Sequence, residues 1–127
     1  MEKKEIIKFW AISAKNDLET ANWLFEGKRY LPCLFFCHLS IEKMLKAIII
    51  KKNAEFQPIH NLVRLANLSK LPVTDEIKNR LSDISEFNIR ARYDDYKYQL
   101  YKKANKIFTQ KYLINTKRII KWLKTYL

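Results

Sequence analysis

The chain is 127 residues long, with 25 Lys and Arg against 13 Asp and Glu, for a formal net charge of +12. That length suits one domain, residues 1–127, with enough chain to bury a proper core. A single glycine, Gly27, leaves no glycine-rich phosphate loop and no dinucleotide fold, and it disfavours an all-β architecture built on glycine turns.

Hydrophobic residues make up 48% and charged residues 30% of the chain, the balance of a globular protein rather than a disordered one. The longest apolar run, Leu31 to Ile41, is interrupted by Pro32, His38 and Ser40 and is too short to span a bilayer. With a charged start and no signal peptide, the expected compartment is the cytoplasm, with no membrane contact. Lysine (19) far exceeds arginine (6), and Ile and Asn are also abundant, so genome composition accounts for part of the charge. Charge of this kind bears on solubility and non-specific binding, not on fold.

The first predicted helix runs from about Lys3 to Glu26. Ile6, Trp10, Ala14, Ala21, Leu24 and Phe25 share one arc at 100° per residue. Gly27 is expected to end it in a left-handed conformation, and Pro32 fits the first turn of a second helix reaching about Lys52. That second helix is apolar around most of its circumference, with Glu42, Lys43 and Lys46 in a narrow polar sector, which places it at the centre of a bundle. A short third helix is predicted near His60–Ser69. Thr74 reads as the N-cap of a fourth, reaching about Ile89, with Asp75 and Glu76 in its first turn. Arg90 to Lys97 reads as a polar connection. A last helix is predicted from about Tyr98 to Tyr126, with Tyr101, Ala104, Phe108, Tyr112, Ile119, Trp122 and Tyr126 on one arc and lysines opposite. The fold class is all-α, an antiparallel up-and-down bundle of about five helices.

Three constellations could carry chemistry. Asp17 projects into the apolar arc of the first helix and needs a partner, because a charge buried alone costs several kcal/mol; Arg92, Lys43 and Lys46 are the candidates. His38, Glu42 and Lys46 lie four apart on the second helix, so neighbours in the series share a face. Cys33 and Cys37 beside them lack a second, spaced ligand pair, so buried free thiols are expected rather than a metal site. The third is Arg90-Ala91-Arg92-Tyr93-Asp94-Asp95-Tyr96, equally readable as a functional loop or as a hydrogen-bonded joint.

These residues resemble a family. Trp10, Ala14, Asp17-Leu18, Ala21 and Leu24 are similar to the opening helix of HEPN domains, and Ser40 to Ala47 (SIEKMLKA) resembles the EK-x-LKA centre of their second helix. His60-Asn61-Leu62-Val63-Arg64-Leu65 is similar to their H-x-L-x-x-L, and Arg92-Tyr93-Asp94-Asp95 to their RYPD signature, with Asp94 in place of Pro. The resemblance implies a helical bundle, a homodimer, and a partner minimal nucleotidyltransferase in toxin–antitoxin or defence pairs. It also raises the metal-independent RNase activity of members carrying an R-x4–6-H motif. No arginine here is followed by histidine at that spacing, and RNA cleavage without metal needs a general acid or base that histidine supplies best.

Three functions follow as expectations. In the first, a non-catalytic protein without cofactor binds nucleotide or RNA phosphate, or a nucleotidyltransferase. Asp17, Glu42, Lys43, Lys46, Arg92, Tyr93 and Asp94 form that site: Arg92, Lys43 and Lys46 supply charge, Tyr93 a stacking surface, and Asp17 a hold on Arg92. In the second, an RNase uses a rearranged pair, His38 with Arg92. The third is nucleic-acid binding through the last helix, where Tyr96 to Leu127 holds nine Lys and Arg and no acid.

Overall fold

The computed structural model describes residues 2–55, 58–93 and 98–127. Seven helical segments, and no strands, occur among them: α1 (Lys3–Glu26), α2 (Tyr30–Lys51), α3 (Leu62–Leu68), α4 (Asp75–Ser85), α5 (Phe87–Arg90), α6 (Gln99–Lys103) and α7 (Lys106–Lys124). The long helices α1, α2 and α7 form the body of the bundle, and α2 packs against every other helix.

The centre of α2 follows from its composition. Leu34, Ile41, Leu45, Ile48 and Ile49 are fully enclosed together with Ile120 and Leu123 of α7, each such side chain contributing roughly 1.5–3 kcal/mol on burial. Against α2, helix α1 presents Ala14 and Ala21, both fully buried; side chains this small let two helix axes approach closely. Ala21 also joins Cys33, Cys37 and Leu113 in a satellite cluster. The two thiols are free, as expected. Cys33 is held well above the ordinary thiol range by its hydrogen bond to Cys37 and by burial, so its sulfur stays protonated.

The helix ends differ from the sequence expectation in one instructive way. Gly27 caps α1 with φ −81°, an ordinary right-handed value, and the left-handed residue is Lys28 at φ 60°. Lys28 N–H donates to the Phe25 carbonyl (3.0 Å) and Arg29 N–H to the Leu24 carbonyl (2.7 Å). This is a Schellman turn with lysine at the position glycine usually fills. Asn53 at φ 60° ends α2 in the same way. Pro32 stands in the first turn of α2, and Thr74 caps α4 by accepting from Ile77 N–H at 3.2 Å.

The last predicted helix is two. Asn105 accepts from Phe108 N–H at 2.9 Å and starts α7 afresh, because an asparagine side chain serves a helix better as a cap than in its interior. Leu100 and Ala104 are buried in the main core, whereas Tyr101, expected on the apolar arc, is exposed. The fourth predicted helix divides at Glu86 into α4 and α5. No helix among the described residues is long and apolar enough to cross a membrane.

Candidate functional site

The polar sector of α2 does not face solvent. Glu42 is only 4% exposed and Lys46 only 6%, and Lys46 Nζ lies 3.0 Å from Glu42 Oε2 and 5.5 Å from the centre of the Trp10 ring. Removing both charges from water is costly, so the remaining carboxylate oxygen also needs a partner. His60 provides it: its Nδ1 lies 2.9 Å from Glu42 Oε1. A carboxylate only accepts, so Nδ1 carries the proton, and in the neutral ring the lone pair is on Nε2. The loop before α3 is tied down a second time by His38, whose Nε2–H donates to the His60 carbonyl at 2.9 Å and stands 3.5 Å from Glu42 Oε1.

The two histidines share this cluster and differ in access. His38 is fully enclosed, its Nδ1 buried without a partner among the described residues, and burial holds its pKa below the ordinary value, which keeps the ring neutral. The side chain of His60 is 54% exposed and forms one wall of a cleft of about 480 Å3, together with Ser82, Ser85, Glu86 and Asn88. Ser85 Oγ accepts from Leu62 N–H at 3.1 Å, joining α4 to the start of α3. Glu86 is paired with Arg90 at 3.4 Å.

Arg92 follows α5, one turn beyond Asn88 of the cleft wall. Its Nε donates to the Asn88 carbonyl (2.8 Å) and its Nη2 to Asn88 Oδ1 (3.3 Å). The guanidinium lies over the Phe35 ring at 5.0 Å and the Tyr93 ring at 5.4 Å. The side chain is thus fixed in orientation while remaining exposed, and no carboxylate pairs with it among the described residues. Asn88 links the two parts, lining the cleft with His60 while holding Arg92.

The partner of Asp17 is Lys43, one of the three candidates, with Nζ 2.7 Å from Oδ2; Lys43 also donates to Ser13 Oγ at 2.8 Å. Asp17 therefore holds Lys43 and not Arg92, whose orientation comes from Asn88, Phe35 and Tyr93. The structure brings Glu42 and Lys46 together with His38, and Arg92 beside Tyr93, while Asp17 and Lys43 form a separate pair on the α1–α2 face. Asp94 lies outside the described residues. Sequence reasoning missed His60, Asn88 and Phe35 as site residues. Only His60 had a signal, as the first residue of the H-x-L-x-x-L segment.

Comparisons with known proteins bear on the fold. The HEPN domain model matches residues 7–126. The chain is similar in structure to TT1696 from Thermus thermophilus, with a TM-score of 0.80 and 16% identity over 95% of this chain and 98% of that one. It is also similar to ST0689, an archaeal HEPN homologue, with a TM-score of 0.77 and 21% identity over 94% and 95% of the respective chains. No curated protein matches. With a family match spanning nearly every described helix and a bundle that superposes on an archaeal HEPN homologue, the chain belongs to the HEPN domain family.

Proposed function

We propose that this HEPN protein binds the phosphate group of a nucleotide or of RNA at Arg92, as one half of a module with a minimal nucleotidyltransferase. The observation that carries the reading is the state of Arg92. Its Nε and Nη2 are engaged by Asn88 and its face is stacked, while Nη1 has no protein partner among the described residues. A guanidinium fixed in place loses little freedom on binding, and its remaining donors suit a phosphate oxygen. Tyr93, exposed beside it, offers a face for a base. Lys43 and Lys46 contribute field rather than contacts, since Asp17 and Glu42 hold them. Exposed lysines along α7 add a salt-sensitive attraction for polyanions. Titration of the protein with ATP, GTP and a short RNA tests the reading. Arg92→Ala should lose about tenfold or more in affinity, the worth of one charge-assisted hydrogen bond; an intact protein that binds none of the three sinks it.

The free Nε2 of His60 favours a second reading, RNA cleavage with His60 rather than His38 as the proton-transfer group beside Arg92. Incubation with structured RNA in EDTA tests it, with cleavage lost in His60→Gln. For the homodimer, Phe9, Ile12 and Trp23 on the outer face of α1 are the exposed apolar residues proposed to meet a second copy. Light scattering on Trp23→Glu should show a shift toward monomer.

A further inference from the structure

His60 is held as a nucleophile would be held. Its Nδ1–H is committed to a carboxylate that is 4% exposed, and its backbone carbonyl is clamped by His38. A tether alone needs the ring only as a donor to Glu42. Here the same ring is 54% exposed and also lines a cleft together with Ser82, Ser85 and Asn88. Glu42 in turn is fixed by Lys46 through its other oxygen, so the carboxylate can stabilise positive charge developing on the imidazole without moving. Glu86, the one acid on the cleft wall among the described residues, is paired with Arg90, and Arg92 stands beyond Asn88. His38 is the internal control, a histidine in the same cluster with no access to solvent.

We propose that His60 is a covalent modification site that accepts a phosphoryl group on Nε2 from a small acyl phosphate, and that the modified ring closes the Arg92 phosphate site. The second half rests on the phosphate-binding reading above. In the transfer, the Nε2 lone pair forms an N–P bond and the P–O bond to the acyl group breaks. Its electron pair leaves with the carboxylate product, and the Nδ1 proton remains shared with Glu42, so no other reactant is needed. The phosphoryl group brings close to two negative charges and three acceptor oxygens beside Asn88 and Arg92, where it competes with an incoming phosphate. Glu42 is a positioning residue in this step, since it acts only through the ring of His60.

Incubation of the full chain with acetyl phosphate, read by intact mass and by 31P NMR, tests the proposal. The expected result is one phosphoryl group per chain, mapped by peptide fragmentation to His60 and not to His38, and absent in His60→Gln. Labelling should be faster than that of N-acetylhistidine and about tenfold slower once the carboxylate is removed. Because Glu42→Gln alone takes the paired carboxylate from a buried Lys46, the doubly neutral Glu42→Gln/Lys46→Gln carries that comparison if the single variant does not fold. The phosphorylated protein should bind ATP about tenfold more weakly than the unmodified one. Labelling no faster than that of N-acetylhistidine, insensitivity to loss of the carboxylate, or unchanged ATP affinity after modification overturns the proposal. Failure of the unmodified protein to bind ATP, GTP or RNA, with His60 still labelled, sinks the phosphate reading and leaves the acceptor site standing.

Discussion

Replacing Glu42 by Gln tests the energetic claim at the heart of the cluster. The substitution keeps the shape and one acceptor oxygen but removes the charge, so Lys46, 6% exposed and against the Trp10 ring, loses the carboxylate 3.0 Å from its ammonium. Breaking a buried pair from one side costs about 3–5 kcal/mol. The amide oxygen can still accept from one former partner, which puts the expectation near the lower end, about 3 kcal/mol. Against a total stability of roughly 5–15 kcal/mol the effect is large. With a urea dependence of about 1–3 kcal/mol per molar, the unfolding midpoint should fall by roughly 1–3 M. Urea titration followed by tryptophan fluorescence reads this directly, because Trp10 sits over Lys46. The double variant Glu42→Gln/Lys46→Met should recover about 2 kcal/mol or more of the loss, since it removes both charges together. As a control, Glu86→Gln, at the half-exposed Arg90 pair, should stay within about 0.5 kcal/mol. A Glu42→Gln loss of about 1 kcal/mol or less, or strict additivity with Lys46→Met, would refute the view that this pair is electrostatically isolated from water.

Lys28→Gly should stabilise the protein by about 0.5–1 kcal/mol, and Gly27→Ala by a similar amount, since the strained residue is the lysine and a Cβ at Gly27 meets only ordinary contacts; thermal unfolding of the two variants checks it. The burial-depressed pKa of His38 means that the unfolded chain takes up a proton before the folded one does. Its contribution is therefore full above about pH 6.5 and is lost as pH falls below that, and the loss should be smaller in His38→Gln when urea unfolding is compared between about pH 7 and pH 5. Thr74→Ala and Asn105→Ala should each cost about 1 kcal/mol in chemical denaturation, because each removes the side-chain acceptor at a helix start.

Helices α1 and α2 and the Thr74 cap of α4 were legible because their signals are local. The arc from Trp10 to Leu24, the apolar breadth of α2 and Thr74 ahead of two acids each depend on a few neighbouring residues. Asp17 was legible as a residue in need of a cation, and Lys43 was among those named for it. Lys28 was not legible, because propensity assigns the left-handed turn to glycine when one is adjacent, whereas the hydrogen-bond register of the helix end decides which residue turns. The site was half legible. Arg92 and Tyr93 stood out by composition. The burial of Glu42 and Lys46 did not, because i, i+4 spacing looks the same on a wet face as on one covered by Trp10 and the His60 loop. His60 acquires its role only when an 18-residue excursion from Glu42 returns to it, and no local pattern encodes that return.

The position of α2 also governs how the molecule can come apart. A helix that touches all the others has no solvent face to fall back on, so a partly opened state that releases α7 leaves a broad apolar surface bare on α2. Such states are high in free energy, and the chain is expected to melt as one cooperative unit, without a surviving α1–α2 hairpin. Trp10 on α1 and Trp122 on α7 stand in different parts of that unit. Single-tryptophan variants reporting from either position should give the same midpoint.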